Sequence, residues 1–480
     1  MEIKNLAPEL VWNIFDQITK VPRPSKKEEK IRQWLVDFAK QHNIECKVDA
    51  TGNVLMRKPA TPGYENHQTI VMQGHIDMVC EKNSGVNHDF ENDPIETIID
   101  GDWVKANGTT LGADNGVGVA LSLACLVDET YQHGPLEALF TYDEETGMTG
   151  ANAIEEGFMT GKILINLDSE TEGQIFIGCA GGMDTVGLFH YTPAPAPKDK
   201  FYAKIKVSGL LGGHSGGDIH LEHANANKVL ARFLTSQPDM VLASIHGGNL
   251  RNAIAREAEA VIGIPFSRKD EVVAELNQFA AVIEGEVGDI EKGMKITIET
   301  ADAPAEIVDP AVTERLLQAL IACPHGVQGM SRSMPGLVET STNMASVKMI
   351  APGVIQIETS QRSSVESEKR AIAQVVATVF RLAGAEVKQG SGYPGWKPNT
   401  NSPIMKICAD TYRDLYNGKE PEIMAIHAGL ETGLFLTKYP YLDMVSIGPT
   451  MEGVHSPDER LYIPSVAPFY AYLKEVLSRC

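Results

Sequence analysis

The chain has 480 residues, more than one hydrophobic core ordinarily serves, so two or more domains are expected. Hydrophobic residues make up 43% and charged residues 22%, which excludes a disordered chain. A formal charge of -21, without runs of Lys and Arg, argues against a nucleic-acid partner.

Helical spacing of apolar residues through Leu10, Ile14 and Ile18, and again through Ile31, Leu35 and Phe38, predicts two opening helices punctuated by Pro22 and Pro24. Acidic and polar residues stand where a secretory segment needs an apolar stretch, and no later run reaches spanning length. Seven scattered cysteines without a CxxC pair suit a reducing compartment, so the expected location is cytoplasmic. Short apolar strands are expected over 53–56, 69–73, 136–142 and 163–167, with a buried helix over 117–127. Strands interleaved with helices indicate an α/β domain whose sheet is mixed but mostly parallel.

The Pro and Ala repeat after His190 marks a domain border. Beyond it the pattern reads strand 202–207, helix 224–234, strands 241–246 and 258–265, helix 270–283 and strand 295–299, one βαββαβ unit. A second, partial αββαβ series follows through helix 312–321, strands 337–349 and 354–362, helix 368–382 and strand 386–388. An inserted α+β lid of βαββαβ type, possibly duplicated, is therefore expected. The Gly and Pro crowd at GSGYPGWKPNT marks the return. Helix 403–416, strands 423–427 and 444–447, and helix 465–477 are too few to stand alone. The expected division is a catalytic domain in two segments, 1–182 and 397–480, interrupted by a lid over 183–396.

Chemistry-bearing residues collect at the ends of the predicted strands. The strand that ends in GHID presents His75 and Asp77 on one face, because side chains alternate along a strand. A metal-binding imidazole with a carboxylate orienting it is one use of such a pair. Asp114 in GADNG precedes a helix, so it reads either as a helix cap or as a carboxylate shared by two cations. Asp143, Glu144 and Glu145 crowd the next strand end, a solvated acidic turn or a site where cations offset like-charge repulsion. Asp168 in NLDSE repeats the device, and EGVHSPDE places His455 in a Gly and Pro loop directly after a strand. Acids and imidazoles delivered together to the edge where α/β proteins gather ligands are far less expected by chance than any one of them.

The ordered set GHIDMV, GADNG, DEETG, NLDSE and EGVHSPDE, with a long insertion before the last, resembles the zinc aminoacylase and carboxypeptidase-like metallopeptidases over essentially the whole chain. The long lid and the wording of GADNGVGVA, NLDSE and EGVHSPDE are most similar to the aminoacyl-histidine dipeptidases, the bacterial carnosinase-like branch. That resemblance implies a dipeptidase holding two Zn2+, with Co2+ or Mn2+ as substitutes. It makes His75 and Asp168 ligands of one ion, Glu145 and His455 ligands of the other, and Asp114 the bridge. It further implies Glu144 as general base and Asp77 as the partner that orients His75. His214 would steady the oxyanion, and Asn252 and Arg362 would hold the substrate's terminal carboxylate or carbonyl. The expected substrates are Xaa-His and related small dipeptides, and the expected assembly is a homodimer through the lid.

Three other readings use the same residues. Aminoacylases and tripeptidases are nearby amide hydrolases. A non-catalytic binding protein on the same scaffold would have no use for Glu144. Gly213-His214-Ser215-Gly216-Gly217 fits the nucleophile elbow of serine hydrolases, with Ser215 as nucleophile.

Overall fold

The computed structural model describes residues 2–480, which divide into two compact units. The first runs to Cys179 and resumes over Trp396–Ala425 and Leu430–Cys480. The second is Ala180–Gly395 together with Ile426–Gly429, four residues that leave the C-terminal segment to join it. Among the described residues no helix is long and apolar enough to cross a membrane.

The first unit is built on an eight-stranded sheet in the order Glu45–Val48, Val54–Lys58, Leu136–Thr141, Ile70–His75, Ile163–Asn166, Asp443–Ser446, Gln174–Cys179 and Glu422–Ile426. Pairing is parallel through the four strands from Leu136–Thr141 to Asp443–Ser446 and antiparallel at the neighbouring junctions with Val54–Lys58 and Gln174–Cys179. The central strands are buried along their whole length, as near-continuous apolar runs such as ILIN require. Helix Ala113–Val127 lies against Ile70–His75 so closely that a Cβ on Gly74 would come 2.1 Å from Asn115 Oδ1. Only glycine allows that approach.

A separate four-stranded sheet orders Met451–Glu452, Arg460–Tyr462, Trp103–Ala106 and Thr97–Asp100. Its first two strands pair antiparallel, so the segment between them, with His455, projects as a loop. None of these four short strands is legible as apolar periodicity in the sequence.

The second unit carries a nine-stranded sheet, eight strands in one row and a ninth, Gly326–Met330, paired antiparallel with Val338–Ala351 off that row. Its first half follows the order Lys295–Thr300, Lys200–Ser208, Ala258–Pro265, Val241–Gly247, and its second half Val338–Ala351, Val354–Ser363, Gly181–His190, Glu386–Gln389. Each half is a βαββαβ series with its first strand between the third and the fourth. The strand missing from the partial series in the sequence is Gly181–His190, which precedes the first half in the chain and was masked by its Gly-Gly start. Side-chain caps fix helix starts here, with Asn225 accepting from the N–H groups of Asn227 and Lys228, and Asp309 from those of Ala311 and Val312. Phe189, Ile205, Leu230, Ile262, Leu316 and Phe380 belong to one buried core in this unit.

Candidate metal centre

The four parallel strands of the first unit end on the same edge, and each releases a candidate ligand there. His75 is the last residue of its strand, and Asp168 lies two residues beyond Asn166. Glu144 and Glu145 follow Leu136–Thr141 through Asp143, whose φ of 51° turns the chain sharply. His455 sits in its loop with φ 62°.

Asp114 lies at the centre. Its Oδ1 is 3.0 Å from Nε2 of His75, and its Oδ2 is 3.1 Å from Nε2 of His455. His75 Nε2 is also 3.5 Å from Asp168 Oδ1, and His455 Nε2 is 3.0 Å from Glu145 Oε2. All five residues assigned to metals therefore converge, with Asp114 presenting one oxygen to each half. Asp114 stands at a kink inside helix Ala113–Val127, and its two oxygens face histidines, not the backbone N–H groups a cap would accept.

Asp77 stands behind His75, with Oδ1 3.2 Å from Nδ1. It also accepts the N–H groups of Glu144 and Glu145, at 3.0 and 3.1 Å, and the Ser25 hydroxyl at 2.8 Å. One carboxylate thus orients the imidazole and ties down the turn that carries both glutamates. The acidic turn is not solvated: Asp143 is buried and accepts hydrogen bonds from the Thr146 and Thr149 hydroxyls.

Two residues not singled out in the sequence hold the Asp114 loop. Buried Glu459 accepts from the N–H groups of Leu111, Gly112, Ala113 and Asp114 at 2.7 to 3.2 Å. Arg23, also buried, donates to the carbonyls of Ile76 and Asp77 and to that of Gly112, joining the His75 segment to the Asp114 loop. Glu459 could have been suspected from its place in VHSPDE; nothing local marks Arg23.

The electrostatics are those of a cage built for cations. Burial raises the Glu144 pKa well above the ordinary carboxylate value, and the nearby charges of Glu431, Asp168 and Glu145 raise it further against the pull of His75. Burial likewise pushes Asp168 up to about 8. Hydrogen bonds to Asp114 and Glu145 push His455 up to about 11. Burial would raise Asp77, yet its bonds with His75 and the Glu144 N–H bring it down to about 2. Oδ1 of Asp168 and Oε1 of Glu145 are buried with no hydrogen-bond partner. Buried acceptors without hydrogen bonds, beside two imidazole nitrogens, suit divalent cations with mixed nitrogen and oxygen ligation.

The remaining predicted residues lie in the second unit. His214 Nδ1 accepts the N–H groups of Gly217 and Gly216, at 2.9 and 3.3 Å. Arg362 is buried and donates to Tyr393 Oη at 2.8 Å and to Ser215 Oγ at 3.4 Å. Asn252 is exposed, and its carbonyl accepts the Ser215 N–H at 2.8 Å. The loop with His214, the turn with Asn252 and the strand with Arg362 thus meet around Ser215. Ser215 is 1% exposed and faced by a guanidinium, an arrangement that gives a nucleophile neither access nor a base. Sequence reasoning passed over His427, whose Nε2 is 2.7 Å from Oγ of Ser341, the residue opposite Arg362 on the neighbouring strand.

A cage of imidazoles and carboxylates at the carboxyl edge of a parallel sheet, with Glu144 beside it, is the arrangement a metal-dependent hydrolase uses. Comparison with known proteins narrows the class: residues 71–479 match the family model for Peptidase family M20/M25/M40, and the chain belongs to that family. It is 43% identical over 479 residues to the cytosol non-specific dipeptidase of Escherichia coli, covering 99% of this chain and 98% of the relative. Its structure superimposes with a TM-score of 0.94 and 43% identity on the aminoacylhistidine dipeptidase of Vibrio alginolyticus, covering 100% and 98% of the two chains. A tripeptidase of Staphylococcus aureus, 16% identical with coverage of 99% and 98%, shares the fold at a TM-score of 0.57.

Proposed function

We propose that the protein is a cytoplasmic dipeptidase that hydrolyses aminoacyl-histidines and related dipeptides with two zinc ions. The observation that carries this reading is Asp114, whose two oxygens face two different histidines. His75 and Asp168 would hold one ion, Glu145 and His455 the other, and Asp114 both. Zinc in that cage would polarise the peptide carbonyl and acidify a water.

The chain's own residues account for the remainder. Asp77 lies 3.2 Å from His75 Nδ1 and holds that side of the ring, so that Nε2 faces the cage. Glu144, with its pKa raised by burial and by neighbouring carboxylates, takes the proton of the attacking water on its carboxylate and passes it to the leaving amine. In the lid, Nδ1 of His214 accepts two backbone N–H groups, so its proton sits on Nε2, from which it can donate to a developing oxyanion. Burial and the Arg362 charge lower the His214 pKa, which keeps it a neutral donor. Arg362 and Asn252 are assigned to the substrate's terminal carboxylate or carbonyl. Recognition of that terminus by a lid restricts substrate length, and a homodimer through the lid is the proposed assembly. The names of the two relatives at 43% identity support dipeptides as the substrate class, histidine-containing ones among them.

The test is release of free amino acids from carnosine, Ala-His, Gly-Leu and a tripeptide, before and after chelation and with zinc, cobalt or manganese restored. Hydrolysis of the dipeptides that disappears with chelator and returns with metal is expected. A chelator-resistant activity, or preference for the tripeptide, would overturn the proposal.

A further inference from the structure

Beneath the candidate metal cage a row of polar side chains crosses all four parallel strands. The Ser446 hydroxyl donates to Asn166 Oδ1 at 2.5 Å, and Asn166 Nδ2 donates to Gln73 Oε1 at 2.6 Å. Gln73 Nε2 donates to Thr141 Oγ1 at 3.1 Å and to Glu431 Oε2 at 2.7 Å, and the Thr141 hydroxyl donates to the same Glu431 oxygen at 2.7 Å. The row runs toward Glu431, whose Oε2 accepts from both Gln73 and Thr141, and the Thr141 hydroxyl also lies 3.4 Å from the Gly74 carbonyl. Each member is 2% exposed or less.

Polar groups this deep are costly unless partnered, and apolar side chains would fill a sheet interior more cheaply. Glu431 Oε1 is buried without a partner, a further cost that packing alone does not explain. The placement supplies a reason. Gln73 lies two residues before His75 on one strand and so shares its side of that strand, and Asn166 ends the strand that releases Asp168 two residues later. Thr141 is the last strand residue before the Asp143–Glu145 turn, and Ser446 ends the strand that leads, through Met451–Glu452, to the loop with His455. The row therefore ties together the four strand ends from which the cage is assembled.

We propose that Glu431 is a positioning residue that, through Gln73 and Thr141, sets the spacing of the strand ends and so the affinity of the cage for its cations. This inference rests on the metal reading above, and it concerns geometry, not charge. Residues that orient metal ligands at one remove typically contribute 10- to 100-fold in affinity.

The test is zinc titration of the metal-free protein against a chromophoric chelator, with circular dichroism as a check on folding. Glu431→Ala and the isosteric Thr141→Val are expected to weaken zinc binding about 10- to 100-fold. Glu431→Gln should stay within about threefold of wild type, because a carboxamide oxygen accepts the same two hydrogen bonds. The visible bands of the cobalt-loaded protein, which report ligand geometry, should shift in the first two variants and not in the third. Folded Thr141→Val or Glu431→Ala with wild-type affinity and spectrum would overturn the proposal, as would Glu431→Gln as weak as Glu431→Ala. If Glu431→Ala does not fold, Thr141→Val decides. A wild-type protein that takes up no divalent ion would overturn the metal reading and this inference together, whereas tight wild-type binding with unaffected variants overturns this one alone.

Discussion

Glu144 is the one carboxylate of the cage that faces neither histidine, and its assigned work is with a proton. Glu144→Gln should leave zinc stoichiometry unchanged and lower kcat by about 10^2- to 10^4-fold, read by metal analysis alongside steady-state kinetics. A variant that loses zinc as well would reassign Glu144 as a ligand. Gly112 tests the loop behind Asp114. Its φ is 71°, and a Cβ there would come 2.4 Å from Nη2 of Arg23, whose guanidinium already donates to three carbonyls through its two terminal nitrogens. Gly112→Ala should cost about 1–3 kcal/mol in chemical denaturation, the usual range for backbone forced into a sparsely populated region.

At the scale of elements, the helices and central strands were readable because their apolar period and their Pro and Gly boundaries are local properties. The helix at Pro310–Ala322 starts where Asp309 and Pro310 cap it. The strands Thr97–Asp100 and Trp103–Ala106 escaped, since a half-exposed strand of four residues carries too little pattern. So did the pairing of Met451–Glu452 with Arg460–Tyr462, although it presents His455. Glu459, just before that second strand, holds the Asp114 loop through four N–H groups. Glu459→Ala strands those donors in a buried site and should cost at least about 2 kcal/mol. Its zinc affinity should fall with it, because Asp114 loses its support. Unchanged unfolding and zinc curves would show that the loop holds itself.

For the molecule as a whole, proton linkage gives two expectations. His455 in the metal-free protein is pushed up to about 11 and is an imidazolium at pH 7, whereas a ligand must be neutral. Zinc uptake at pH 7 should therefore release protons, seen as a calorimetric heat that changes with the ionisation enthalpy of the buffer. A heat independent of buffer would argue against His455 as a ligand. In the second unit, burial beside the Arg362 charge brings His427 down to about 3. A neutral folded imidazole with an unfolded value near 6.5 stabilises fully above 6.5, and that contribution is lost as pH falls toward 3, at up to about 1.4 kcal/mol per pH unit. The thermal midpoint should drop between pH 7 and pH 5, and less so in His427→Gln; equal drops would exclude His427 as the source.

The sequence by itself determined which residue types stand at the strand ends and in what order, and through their motifs the peptidase family. Those are properties of short windows, where alternation, turn residues and spacing are written directly. Only the tertiary structure decided that Asp114 faces two histidines that lie 39 and 341 positions away from it along the chain. The same holds for Glu459 and Arg23 clasping one loop, and for Gly181–His190 pairing with Val354–Ser363 and Glu386–Gln389, which come much later in the chain. Contacts of that kind depend on which strands become neighbours, and that is settled by the burial of the whole core, not by any local pattern.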